Sequence, residues 1–184
     1  MDRSITGRAA GILSTDGLVL LQRKVADKFW AVPGGRIEVG ESSEQALLRE
    51  IKEEMDWEPR GSNLICILEH QFEHGGESYH QYGFYYLIPA VELRERYPHP
   101  PGDEFRICEP DLIFCWTLQS GLEEVDIRPS VLTDLLREPP PALIHKAHGF
   151  AEHGGILGAM RRSPLVGADL NLARSYEAGR KLEL

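Results

Sequence analysis

Three glutamates, Glu50, Glu53 and Glu54, are spaced so that a helix would bring their carboxylates to one face. Residues three and four apart are neighbours on a helix surface. Three like charges this close repel and raise one another's pKa unless positive charge neutralises them. Mg²⁺ characteristically binds a few carboxylates together with the phosphates of a substrate. The spacing therefore indicates metal-assisted phosphate chemistry, with a solvated acidic helix face as the alternative.

The segment that carries these glutamates is the clearest helix in the chain. Residues 42–55 contain neither Gly nor Pro, and Ser42 with Gln45 matches a capping box. An apolar arc lies beside the acidic stripe, and we expect it to pack on a sheet: Leu47, Leu48, Ile51 and Met55. The acidic stripe then borders the buried face of the helix.

Most of the remaining elements read as strands. We predict strands at residues 5–13, 18–22, 64–72, 78–88 and 112–118, and a second helix at residues 129–137. Pro33, Gly34 and Gly35 form a shaped loop before the first helix, because Pro fixes φ and Gly permits backbone geometry closed to other residues. This order of elements argues for an α+β fold with a mixed sheet rather than repeated βαβ units.

Composition excludes several classes of protein. The 184 residues carry a formal net charge of −9, which disfavours binding to nucleic acid because phosphate backbones attract Lys and Arg. No apolar run is long enough to span a membrane, and residues 1–8 lack the apolar core of a signal peptide. Cys66, Cys108 and Cys115 adjoin apolar runs and are expected to be small buried thiols. We therefore expect a cytoplasmic protein.

The spacing around the glutamates resembles that of a known family. Five residues separate Gly35 from Glu41, seven separate Glu41 from Arg49-Glu50, and Glu53-Glu54 follow. This resembles the Nudix box at every fixed position except one, where Asp56 replaces the family's Gly just past the helix. Asp is one of the residues that visits the left-handed conformation, so we expect an altered helix end and an intact site. The resemblance covers about residues 5–145, and residues 146–184 are expected to form a tail of unknown role.

The resemblance implies an α/β/α sandwich around a mixed sheet and assigns roles by position. The metal ligands would be Glu50, Glu53, Glu54 and the backbone carbonyl of Gly35, or of Gly34 beside it, with Mg²⁺ as the ion and Mn²⁺ as an alternative. Arg49 would orient the glutamates, and Glu41 would support the geometry between loop and helix. The catalytic base would be Glu53 or Glu50, or an acid of a later loop as in some relatives: Asp103, Glu104 or Glu109.

The expected activity is hydrolysis of a diphosphate linkage in a small substrate that contains a nucleoside diphosphate, by attack of an activated water. A nucleotide-sensing module that does not cleave its ligand is the alternative, and homodimers are common in the family. Arg23 is the expected phosphate contact, beside Gln22, with a solvent-exposed strand end as the equal alternative. His70, His74 and His80 suggest a metal cluster, but a polar strand surface is the favoured interpretation.

Overall fold

One mixed sheet of eight strands carries the fold of the computed structural model, which describes residues 3–74 and 76–148. The strands run in the order β6-β7-β2-β1-β5-β4-β8, and β3 pairs with β1 outside this path. The β1–β5 and β4–β8 pairs are parallel, and the other pairs are antiparallel. The strand bounds are β1 Arg3–Thr15, β2 Leu18–Lys24, β3 Gly34–Arg36, β4 Asn63–His74, β5 Glu77–Pro89, β6 Glu104–Phe105, β7 Leu112–Leu118 and β8 Ile144–His148.

Helices cover both faces of the sheet. Helix α1, Ser43–Met55, buries its apolar side in one core, together with α2, Val91–Arg96. A 3₁₀ helix, Gln119–Glu124, and α3, Leu132–Arg137, contribute to a second core. The strands serve both layers because successive side chains of a strand point to opposite faces. The predicted α/β/α sandwich around a mixed sheet is confirmed. No helix in the described ranges is long and apolar enough to cross a membrane.

Strand β1 separates from β2 soon after their turn. The two strands pair only at Ser14–Val19 and Thr15–Leu18. Farther along β1, the short strand β3 pairs with it instead, and Ala9 faces Gly35. Gln22 on β2 and Gly35 on β3 therefore flank this split, and both contact glutamates of α1.

The predicted strands and the first helix are confirmed; β7 has the predicted bounds, and the other four predicted strands are longer than expected. Ser42 and Gln45 make both bonds of the capping box. The helix predicted at residues 129–137 is α3, and it begins at Leu132 rather than at residue 129. The elements α2, β3, β6 and β8 were not predicted. Two burial predictions were wrong: Leu48 is 37% exposed because its position on α1 turns outward, and Cys108 is exposed in a loop.

The predicted tail begins at residue 146, inside β8, whose residues pair with β4. Residues 149–184 lie outside the described part of the chain, so the tail stays a prediction. Contacts divide the chain into units Met1–Gly149 and Phe150–Leu184, and the described residues all belong to the first.

Asp56 ends α1 in the left-handed conformation, with φ 47° and ψ 40°. A side chain is strained there by about 1 kcal/mol relative to Gly. Its carboxylate forms ion pairs with Lys52 at 3.0 Å and with Arg96 of α2 at 3.2 Å, and these pairs lower the pKa of Asp56. Exposed ion pairs contribute up to about 1 kcal/mol. At Asp56 a strained backbone conformation is thus accompanied by an ion pair that links α1 to α2.

Substitutions at Asp56 should separate these two effects. Asp56→Gly relieves the strain and loses the ion pairs, so the free energy of unfolding is expected to change by less than about 1 kcal/mol. Asp56→Ala keeps the strain and loses the pairs, and it should be less stable than Asp56→Gly by about 1 kcal/mol. Urea unfolding of both variants measures the difference. Equal stability of the two variants would contradict this account of the helix end.

Candidate active site

A cavity of about 950 Å³ opens beside the split between β1 and β2. Helix α1 contributes Glu50 and Glu54 to its wall, and the strands contribute Arg8, Gln22, Gly35 and His70. Cavities of this size accommodate small-molecule ligands such as nucleotides. The cavity therefore brings together Glu50, Glu54 and Gly35 of the predicted metal site, whereas Glu53 does not line it.

Gly35 is needed because Glu50 approaches its backbone closely. A Cβ at residue 35 would lie 2.0 Å from Oε1 of Glu50 and 2.1 Å from its Cδ. The preceding Gly34 has φ 134°, and a Cβ there would lie 2.2 Å from the carbonyl oxygen of Ala9. Paired glycines thus let β3 lie against β1 on one side and the Glu50 carboxylate on the other.

Arg49 forms hydrogen bonds to three carboxylates beside the cavity. Its guanidinium donates to Glu41 at 2.8 Å, to Glu50 at 2.9 Å and to Glu53 at 3.2 Å. It also donates to the carbonyl oxygen of Arg36 at 3.1 Å. The hydrogen bonds that Arg49 donates to Glu41 and Glu50 raise its pKa further above the ordinary value. Arg49 therefore holds Glu50 at the cavity wall and Glu53 outside it.

Glu41 supports this arrangement from the loop before α1. Its carboxylate accepts from Arg49 and from the backbone N–H of Glu38 at 2.8 Å. These two bonds, with Arg49 the stronger influence, lower the pKa of Glu41. The contacts agree with a role for Glu41 in supporting the geometry between loop and helix.

Arg49→Lys should therefore impair catalysis more than folding. A lysine keeps the charge but lacks the planar fork that serves several carboxylates at once. We expect kcat/KM to fall by about 10- to 100-fold, the range for loss of a group that orients a metal ligand. Steady-state kinetics, on the substrate that the wild type hydrolyses most efficiently, measures the effect. Arg137→Lys, which alters a surface ion pair with Glu123, serves as the control. Equal losses in both variants would contradict the orienting role of Arg49.

Glu54 is the most deeply placed of the three glutamates, with 6% of its surface exposed. Gln22 donates to its Oε1 at 3.0 Å, whereas its buried Oε2 has no hydrogen-bond partner among the described residues. Burial raises the pKa of Glu54 to about 7, and the hydrogen bond from Gln22 opposes that rise. The nearby Glu50 charge raises the pKa further. A cation at this point would remove the cost of ionising Glu54.

The site fits a hard divalent cation on chemical grounds. Glu50 and Glu54 offer carboxylate oxygens, and the buried Oε2 of Glu54 accepts no hydrogen bond from the described residues. No group of three or more His, Cys, Asp or Glu side chains in residues 3–74 and 76–148 is already arranged to hold a metal. Mg²⁺ accepts such a partial site, since it keeps water ligands and binds substrate phosphates beside one or two carboxylates.

Arg23 lines the cavity but is already engaged. Its Nη2 donates to both carboxylate oxygens of Glu104 at 2.9 Å, and its guanidinium lies 5.2 Å from the ring centroid of Trp30. Its Nη1 donates to three carbonyl oxygens, those of Lys24, Val25 and Asp27. Arg23 therefore secures the loop after β2, and a role in phosphate binding stays a prediction.

The later acids differ in their placement. Glu109 lines the cavity, and Glu104 is paired with Arg23. Asp103 is exposed and does not line the cavity. Of the three acids named as alternative bases, Glu109 is thus the one that lies at the cavity wall.

His70 lies in the cavity wall rather than on a polar strand surface, so that expectation was wrong for it. It is 6% exposed, and its Nδ1 has no hydrogen-bond partner in the described structure. Its ring stacks on Phe72 with centroids 4.8 Å apart. Burial lowers the pKa of His70, which favours the neutral ring. His80 pairs with Glu69 at 2.8 Å, and the side chain of His74 lies outside the described part.

A family profile decides between a chance resemblance and kinship. The profile of the NUDIX domain matches residues 5–139 of the chain, which include β1 through α3 and the whole candidate site. The chain belongs to the NUDIX family. This NUDIX chain thus combines the family's spaced glutamates with Asp56 in the place of a glycine.

Known relatives resemble parts of this NUDIX chain. An 8-oxo-dGTP diphosphatase of Escherichia coli (strain K12) is 38% identical over 35% of this chain and 54% of its own length. An ADP-ribose pyrophosphatase of Methanocaldococcus jannaschii is 40% identical over 31% of this chain and 36% of its own length. The matched region thus spans between about a third and about half of these relatives.

Solved structures support the fold. The crystal structure of a mutator MutT protein from Bacillus halodurans matches with a TM-score of 0.56 at 17% sequence identity. The match covers 78% of this chain and 89% of that chain. At this identity the likeness shows a shared architecture only.

Proposed function

We propose that the chain is a Mg²⁺-dependent hydrolase, with Mn²⁺ as an alternative ion, that cleaves a phosphoanhydride linkage in a substrate containing a nucleoside diphosphate. The observation that carries the proposal is the buried, half-satisfied carboxylate of Glu54 beside Glu50 at the wall of a nucleotide-sized cavity. Family membership supports the reaction class, and the relatives named above support a nucleotide-like substrate.

Glu50 and Glu54 would hold the cation, together with the carbonyl oxygen of Gly35. When bound, Mg²⁺ supplies neutralisation of phosphate oxygens and a water of lowered pKa. Arg49 and the close contact with Gly35 hold the Glu50 carboxylate in place. Gln22 fixes the orientation of Glu54 through Oε1 and leaves Oε2 free. The chain thus positions two acceptor groups at one end of the cavity.

The proton of the attacking water requires an acceptor within hydrogen-bond reach. Glu50 is the proposed base from α1, and Glu109 is the proposed alternative from the later loop, because both line the cavity. Glu53 is 54% exposed and bonded to Arg49, so it would serve as base or metal ligand only after leaving Arg49. Substitution of Glu50, Glu53 and Glu109 one at a time separates these roles.

The part of the substrate beyond the phosphates would lie against the aromatic wall of the cavity. Phe29 and Phe72 line the cavity, as does His70, whose Nδ1 has no hydrogen-bond partner among the described residues. Flat rings stack on aromatic side chains, so a nucleobase suits the surface better than a simple alkyl group does. We also propose a cytoplasmic location and a homodimer. Fractionation of cells would test the location, and the mass of the protein in solution would test the oligomeric state.

A phosphate-release screen tests the proposal. Nucleoside triphosphates, oxidised purine nucleotides, nucleotide sugars and dinucleoside polyphosphates are supplied with Mg²⁺, Mn²⁺ or EDTA. Because not every class of substrate yields free phosphate, the products are also separated by chromatography so that every cleavage is counted. We expect release from at least one class with Mg²⁺ or Mn²⁺ and none with EDTA. Binding of a nucleotide without any release would favour the sensing module instead.

A further inference from the structure

Two arginines face each other across β1 and β3 at the edge of the cavity. Arg8 and Arg36 are direct partners in the antiparallel register, and both line the cavity. Side chains at such positions lie on the same face of the sheet with Cβ atoms about 5 Å apart, and like charges placed this way repel. The arrangement is unfavourable unless an anion lies between or above the two guanidinium groups.

The other arginines of the cavity wall already have acidic partners. Arg23 pairs with Glu104, and Arg128 pairs with Asp126 at 3.0 Å. Within residues 3–74 and 76–148, neither Arg8 nor Arg36 forms an ion pair with a carboxylate. Of the cationic side chains that line the cavity, Arg8, Arg36 and the exposed Lys24 therefore have no carboxylate partner among the described residues, and only the two arginines are paired across neighbouring strands.

Arg8 also has donors to spare beside the carboxylates of α1. Its Nη2 makes a single long bond of 3.3 Å to the carbonyl oxygen of Val32. A guanidinium has five N–H donors, so most of those of Arg8 are free for a ligand. Arg8 is close enough to Glu54 and to the buried Tyr85 for its charge to act on both side chains. Arg8 thus lines the cavity near the carboxylate of Glu54.

We propose that Arg8, with Arg36 opposite it, binds the phosphate chain of the substrate and directs the scissile linkage toward Glu50 and Glu54. The ligand class is a diphosphate or longer phosphate chain, because a multiply charged anion satisfies two guanidinium groups at once. The inference deepens the proposed function and rests on it for the reaction. It replaces Arg23 with Arg8 as the principal phosphate contact.

Calorimetric titration with inorganic pyrophosphate tests the proposal, with the full chain in EDTA at low salt. Without metal, the arginines are the main attraction for this probe. We expect the wild type to bind pyrophosphate and Arg8→Gln to weaken binding by about 10-fold or more, as for loss of a charge-assisted contact. The double variant Arg8→Gln/Arg36→Gln is expected to show no binding. Arg60→Gln, at a side chain that is 88% exposed and outside the cavity, should bind like the wild type.

Thermal unfolding separates binding from a structural role. Arg8→Gln removes the repulsion from Arg36 together with the attraction to Glu54 and the long bond to Val32, so its Tm should stay close to that of the wild type. The proposal is overturned if the wild type does not bind pyrophosphate, if the double variant binds it equally well, or if Arg8→Gln loses binding together with Tm. Hydrolysis is scored separately on the nucleotide panel. Pyrophosphate binding through Arg8 without any hydrolysis would reject the proposed function and keep the anion site. Normal kcat/KM in the double variant would keep the proposed function and reject the role of the two arginines in binding the substrate.

Discussion

Replacing Glu54 with Gln is expected to reduce kcat/KM by more than about 100-fold, since loss of a metal ligand should exceed the effect of losing its supporting group. Gln keeps the size of the side chain and an oxygen that can accept from Gln22, but it lacks the negative charge that a cation needs. Mg²⁺ bound at the proposed site should raise the Tm of the wild type, and this rise should disappear with the activity in Glu54→Gln. Kinetics and thermal unfolding, each with and without Mg²⁺, measure both effects.

The same substitution should stabilise the metal-free protein at high pH. Burial raises the pKa of Glu54 from 4.5 to about 7, so the folded state holds a proton that the unfolded state releases. Folding is therefore penalised progressively as the pH rises from 4.5 through 7. In EDTA at pH 8, Glu54→Gln should be more stable than the wild type by about 3 kcal/mol, and below pH 4.5 the difference should vanish.

Glu44→Gln is the matched control for both results. Glu44 lies in the first turn of α1, and its carboxylate accepts from Ser62 at the surface. Its substitution should change neither the activity nor the response to Mg²⁺. A Glu54→Gln enzyme that retains wild-type activity, or that still gains Tm from Mg²⁺, would remove Glu54 from the metal site.

Gly35→Ala is expected to lower kcat/KM by about 100-fold, the cost of misplacing a catalytic group by about 1 Å. The new Cβ would lie 2.0 Å from Oε1 of Glu50, so the carboxylate must leave its position and its bond to Arg49. Glu50 is the end of a flexible side chain, so the fold itself has little to repair. We expect a large loss of activity with a change in the free energy of unfolding below about 1 kcal/mol.

Gly61→Ala provides the control for this substitution. Apart from its chain neighbours, no described residue has an atom within 4 Å of a Cβ built at Gly61, so the added methyl group has room. Activity should be unchanged, and stability should be equal or slightly higher because alanine restricts the unfolded chain. Gly35→Ala with normal kcat/KM would show that Glu50 does not need its present position. A large loss of stability would instead show that residue 35 matters for folding.

The local part of this site follows from the sequence, and the non-local part does not. Glu50 and Glu54 share a helix with a capping box, so helical geometry alone places their carboxylates on neighbouring positions. The same geometry groups Glu53 with them, yet Arg49 one turn earlier draws its carboxylate away from the cavity. Competition between a cation and an arginine for one carboxylate depends on positions in space that spacing does not describe.

Residues that reach the site from strands were harder to predict. Arg8 faces Arg36 only because β3 pairs with β1 in one register, and a three-residue strand leaves little pattern in a sequence. Gln22 turns to Glu54 because β2 diverges from β1 after two paired positions. His70 becomes buried because β4 has β5 on one side and β8 on the other. Each case depends on contacts between segments distant in the chain.

Hydrolysis in water labelled with ¹⁸O tests the central claim most directly. The best substrate from the nucleotide panel is incubated with the wild type and with Glu54→Gln, in Mg²⁺ or in EDTA. Mass spectrometry then measures the masses of the products. We expect one ¹⁸O atom per cleavage in a phosphate product of the wild type with Mg²⁺, no product in EDTA, and product from Glu54→Gln reduced by about 100-fold or more. Labelled product formed equally in EDTA or by Glu54→Gln would contradict the account.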